Sequence, residues 1–91
     1  MRHTIYDPDL LQRIRLEIAA SRDGGVRIEE LPGVDAARLR AHVERLFYAG
    51  ELAADARIDS AGLHLTPKRL TPYGVLAMHA GIAKSRARRA V

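Results

Sequence analysis

Arg38, Ala41, His42 and Arg45 stand at positions i, i+3, i+4 and i+7, so a helix through them would carry all four on one side. Guanidinium groups so placed can take guanine O6 and N7 bidentately or hold a phosphate. Small residues such as Ala37 and Ala41 admit close approach and contact with a thymine methyl. Ala37 and Tyr48 fall at the margins of this side. The same residues also read as a solvated helix surface on which Arg38 and Arg45 balance Asp35 and Glu44. Further along, Arg57 and His64 take outward positions in alternating segments, and Lys68 and Arg69 follow them. All four suit phosphate contacts, although charge there equally keeps a hairpin edge from pairing. Lys84, Arg86, Arg88 and Arg89 form the densest basic group, either an arm along a polyanion backbone or a solubilising tail.

Other chemistries find no footing. His3, His42, His64 and His79 have no metal-ligand spacing and no carboxylates clustered with them, so no metal or cofactor is expected. His79 reads as a half-buried core histidine. Ser21, Ser60 and Ser85 lack a neighbouring base or a nucleophile-elbow context, and the glycines form no phosphate loop; an enzyme is not expected. There is no cysteine, which excludes disulfides and thiolate metal sites.

The 91 residues suit one domain, with 47% hydrophobic and 29% charged residues but a single Phe and no Trp. The core must therefore be aliphatic and thin, which makes a homodimer the expected state. Charge is unevenly spread. Residues 1–67 hold nine Lys/Arg and all 11 Asp/Glu, whereas residues 68–91 hold six Lys/Arg and no acid. A basic balance suits a polyanion partner, yet here it sits in the last quarter of the chain. No apolar run approaches the roughly 20 residues of a membrane span, and the start has no signal-peptide pattern, so a cytoplasmic protein with no membrane partner is expected.

The elements that must position these groups announce themselves by their ends. Asp7 can cap, Pro8 fits the first helical position and Asp9 complements the dipole; Leu10, Leu11, Ile14 and Ile18 then share an arc until Asp23-Gly24-Gly25 stops the helix. Leu16 lies off that arc, as a tolerated exposed leucine or, with Ala19 and Ala20, a dimer contact. A strand of one or two residues near Val26 and a helical turn over 28–31 follow, before Pro32-Gly33 forbids continuation. Asp35 caps a helix over 36–49 whose core arc is Ala36, Leu39, Val43, Leu46 and Phe47, closed by Gly50. Alternation from Leu52 to Ile58, a turn at 59–62 and renewed alternation from Leu63 predict a β-hairpin, with an edge or bulge at Pro67. Thr71 and Pro72 open a last helix whose arc is Val75, Leu76, His79, Ile82 and Ala83; from Lys84 the chain should fray. A domain over 1–83 and a disordered basic tail over 84–91 are the expected organisation.

This order, mainly α with a small hairpin, is that of a winged helix-turn-helix: a three-helix core, a wing and a C-terminal helix. The run from Leu39 to Leu52 resembles the end of recognition helices in winged-helix regulators, and Leu70-Thr71-Pro72-Tyr73-Gly74 resembles the segment where their wing returns into a C-terminal helix. Over about residues 8–83 the chain resembles small winged-helix proteins of phages, prophages and mobile elements, and more distantly the MarR and PadR regulators. It departs from the usual pattern at Glu51-Leu52, where an apolar pair is common, and in the single-turn second helix. The reading predicts a transcription regulator that binds double-stranded DNA, with 36–49 in the major groove and the wing and tail on the backbone. The alternative is a protein-interaction module of the same fold, suggested by the acidic body and by Leu16 and Tyr48.

Overall fold

The computed structural model describes residues 5–21 and 31–89, which form three helices and a two-stranded antiparallel hairpin in the order α1 (Pro8–Ala20), α2 (Ala36–Tyr48), β1 (Leu52–Asp59), β2 (Gly62–Leu70) and α3 (Pro72–Arg89). The short strand and the helical turn expected near 26–31 lie outside the described residues, apart from Leu31.

The helix starts follow the residues that announce them. The Asp7 carboxylate accepts from the Asp9 N–H at 2.9 Å and Pro8 opens α1; Asp35 accepts from the Arg38 N–H at 3.2 Å. Thr71 Oγ1 accepts from the Gly74 N–H at 3.2 Å. Each oxygen satisfies a donor that the first helical turn leaves unpaired. α1 ends at Ala20 with Ser21 as its cap, before the Gly24-Gly25 pair. α2 closes at Ala49, and Gly50 takes a positive φ of 75°, where a side chain would be strained.

Leu10, Ile14 and Ile18 from α1, Leu39, Val43 and Leu46 from α2, and Leu52 from β1 form the core, with Leu11, Leu31, Val34, Phe47, Leu65 and Leu70 packed around it. The arc expected for α1 is the one buried. That of α2 is turned by part of a residue spacing: Ala36 is exposed and Phe47 half-buried, while His42 is only 1% exposed.

In the hairpin, β1 pairs with β2 from Leu52↔Leu70 to Asp59↔Gly62, with a register shift between Ala53 and Ala54. Ala53 faces Arg69 and Ala54 faces Pro67, which leaves Lys68 as the extra residue of a bulge, beside the proline that cannot donate to the ladder. The Asp59 carboxylate accepts from the Ala61 N–H at 2.8 Å across the tip.

α3 differs most from expectation. Gly74 is buried and Ala77, Met78, Gly81 and Ile82 are half-buried, whereas Leu76 is 67% and Tyr73 72% exposed. Of the expected arc only Ile82 faces inward with any depth, and His79 is exposed rather than a core histidine. The glycines explain the rotation. A Cβ at Gly74 would overlap the Glu51 carbonyl, and one at Gly81 would meet the Gln12 side chain, so the helix docks through its barest side. It also continues through Lys84 to Arg89 instead of fraying at the end of the apolar stripe. Among the described residues no helix is long and apolar enough to cross a membrane.

Candidate functional site

The extended segment before α1, Tyr6 and Asp7, lies against α2, and the contact between them redraws the expected site. His42 turns into the junction. Its Nε2 accepts from the Asp7 N–H at 2.9 Å and its Nδ1 lies 2.7 Å from the Arg38 carbonyl oxygen, an acceptor, so Nδ1 carries the proton. The Tyr6 ring meets the imidazole edge-on, with centroids 5.4 Å apart. The assignment of His42 to a groove-reading surface is therefore corrected. At i+3 from Leu39 and i−4 from Leu46 it belongs to the inward side of the helix, and both ring nitrogens are occupied within the fold.

The other three members of that group remain on or near the surface. Arg38 is exposed and donates to Asp7 Oδ2 at 2.9 Å, Arg45 lies with its guanidinium carbon 5.6 Å from the centre of the Tyr6 ring, and Ala41 is half-buried. Asp7 thus uses one carboxylate oxygen for the α1 cap and the other for Arg38. The Asp9 N–H, more than the arginine, holds its carboxyl below the usual range. Tyr6 and Asp7 went unnoticed as members of the site because the sequence marks Asp7 only as a cap, and nothing local signals a contact made 31 residues away.

The outward side of α2 is centred on Ala37 and Ala41, with Arg38 and Arg45 along one border and Arg40 along the other. Arg40 escaped the sequence reading. It is exposed and donates to the Leu63 carbonyl at 3.1 Å, bridging the helix to the hairpin. Between them opens a cleft of about 920 Å³, lined by Leu39, Val43, Leu63 and Leu65 with Arg40 and Glu44 at its sides.

On the hairpin, Arg57 and His64 are cross-strand partners, and Arg69 lies further along the same side, opposite Ala53. Asp59 sits between the first two, 3.8 Å from Arg57 and 3.0 Å from His64. The Ala61 N–H first, and His64 second, hold the Asp59 carboxyl below its ordinary value. Lys68 pairs with Asp55 at 3.4 Å. Three of the four basic side chains expected on the hairpin thus have an acidic neighbour, while Arg69 is exposed. Such exposed pairs are weak and leave the cations open to exchange for another anion.

Glu51 has a structural role: it accepts from Arg15 at 2.8 Å with both side chains largely covered. Its N–H donates to Leu46 and its carbonyl accepts from the Thr71 N–H at 3.0 Å, so one residue ties α1, α2 and α3 together. Comparison with protein-family models, curated proteins and solved structures finds no match for the chain.

Proposed function

We propose that the protein is a winged-helix DNA-binding transcription regulator, in which α2 enters the major groove and the hairpin rests on the phosphate backbone. The observation that carries this reading is the outward side of α2, small in the middle at Ala37 and Ala41 and bordered by Arg38, Arg45 and Arg40. An arginine-edged helix with an alanine centre fits a groove wall and can approach base edges closely. Arg57, His64, Lys68 and Arg69 follow on the hairpin as phosphate contacts, and the acid-free stretch from Lys68 adds attraction without sequence preference. His42 supports the helix from behind.

Fluorescence-anisotropy titration of labelled duplexes pooled from genomic fragments tests the proposal. Arg40→Ala combined with Arg45→Ala should weaken binding of a preferred duplex by at least about 10-fold, the scale of losing one or two bidentate contacts. Arg69→Ala should weaken all duplexes alike and flatten the salt dependence. Binding that is micromolar or weaker and indifferent to the α2 arginines would reject the role given to this helix.

A second reading, contact with protein, is favoured by α3. Its outward side presents Tyr73 and Leu76 with His79, Ala80 and Ala83, an apolar stripe on a helix that docks by the opposite face. We assign this stripe to a homodimer, which would also present two α2 helices to one duplex. Leu76→Asp should shift the sedimentation coefficient from dimer to monomer with the thermal transition preserved; a monomeric wild type would remove this assignment.

A further inference from the structure

We infer that the Tyr6–Asp7 segment is a built-in competitor for nucleic-acid phosphate: Asp7 holds Arg38, and Tyr6 holds Arg45, until a phosphate displaces them. The inference rests on the DNA-binding reading above and goes beyond it by assigning a threshold to the same helix.

Three contacts place the segment. The Asp7 N–H donates to the buried His42, which fixes the backbone of the segment against α2. Asp7 Oδ2 then reaches Arg38 at 2.9 Å, and the Tyr6 ring lies beneath the Arg45 guanidinium at 5.6 Å. Both cations along this border of α2 therefore point at a carboxylate and an aromatic ring of their own chain.

The anchoring and the latching differ in strength. The His42 contact is covered, whereas the Arg38–Asp7 pair is open to solvent, with side-chain exposures of 49% and 37%. Exposed pairs of this kind are weak, and the arginine fork matches a phosphate better than it matches the single oxygen of a carboxylate whose other oxygen is committed to a helix cap. A well-placed phosphate displaces Asp7. A glancing, nonspecific encounter gains less and has to work against the carboxylate's own repulsion of the phosphate. The segment thus penalises loose contacts more than aligned ones and sharpens selectivity without itself touching a base.

Asp7→Asn isolates this effect, because asparagine caps a helix as well as aspartate does while replacing the oxygen that faces Arg38 with an uncharged NH2 that cannot accept from it. Anisotropy titrations with a nonspecific duplex, over a range of salt, should show binding about threefold tighter or more and a log–log salt slope steeper by about one, as Arg38 becomes free to neutralise a phosphate. In an Arg38→Ala background the same substitution should change the salt slope far less, because only the carboxylate's own repulsion is then removed. Tyr6→Ala provides a second arm that leaves the α1 cap intact and should likewise tighten nonspecific binding by releasing Arg45. Wild-type binding that neither substitution tightens, with thermal melts unchanged, would overturn the latch and leave the DNA reading standing. Absence of duplex binding in wild type and both variants would overturn the DNA reading and the latch with it. If Asp7→Asn melts early, the Tyr6→Ala arm decides between these outcomes.

Discussion

Gly74→Ala is expected to destabilise the protein, lowering the melting temperature by roughly 5–15 °C, although alanine is the better helix former. Propensity alone favours the substitution by about 1 kcal/mol in a helix interior. Against it stands the seat of α3. The new Cβ would overlap the Glu51 carbonyl oxygen, a backbone atom that cannot swing aside and that already accepts from the Thr71 N–H. Overpacking costs about 1–3 kcal/mol, and an overlap with backbone that cannot move falls in the upper part of that range, so the steric term exceeds the propensity gain by about 1–2 kcal/mol. Gly81→Ala supplies the contrast: its Cβ would meet the end of the Gln12 side chain, which can rotate away and give up its hydrogen bond to the Met78 carbonyl. There the two terms should nearly cancel. Thermal melts of the two variants side by side check the pair, and equal stability would mean that α3 does not sit on Glu51.

His42→Ala should cost about 2–4 kcal/mol, measured as a lower midpoint of urea unfolding. The imidazole fills a fully covered position between the start of α1 and the body of α2, and truncation leaves a void there. It also strips the Asp7 N–H of its partner and removes the edge contact with Tyr6. A loss under about 0.5 kcal/mol, the range of ordinary surface changes, would show that the imidazole is not the staple described here.

Local signals in the chain proved informative wherever the physics is local. Asp7, Asp35 and Thr71 cap the helices they precede, Gly50 ends α2, and the irregularity anticipated at Pro67 is a bulge beside it. The apolar spacing of α1 identified its buried face because Leu10, Ile14 and Ile18 have no competing polar residue among them. Periodicity tells which residues share a side, but not what that side meets. In α2 the polar character of His42 suggested an outward position, while its covered partners, a backbone N–H and a carbonyl, come from a different element and from one turn back. In α3 the larger apolar residues suggested an inward arc, yet closeness of approach to Glu51 and Gln12 decided the orientation, and only glycine permits it. Of the expected surface, Arg38, Ala41 and Arg45 stayed with α2's outer side, and Arg57, His64 and Arg69 stayed on one side of the hairpin. The hold of Tyr6 and Asp7 on two of them, and the Arg40 bridge, depend on tertiary contacts that no spacing encodes.

The hairpin is packed mainly at its root, with Leu65 partly against the core and the exposed Arg40 bond to the Leu63 carbonyl as its hold further out. Leu52, Pro67 and Leu70 are packed at its root, where Thr71 also bonds to Gly50 and Glu51, while Ile58 near the far end is 80% exposed. The six residues of β1 beyond the bulge reach about 20 Å, so a rotation of about 10° there sweeps the tip through about 3.5 Å. Such a cantilever sets its final position by the contour it lies against, and Arg57 and His64, carried near its free end, follow an uneven surface once the exposed Arg40 bond yields.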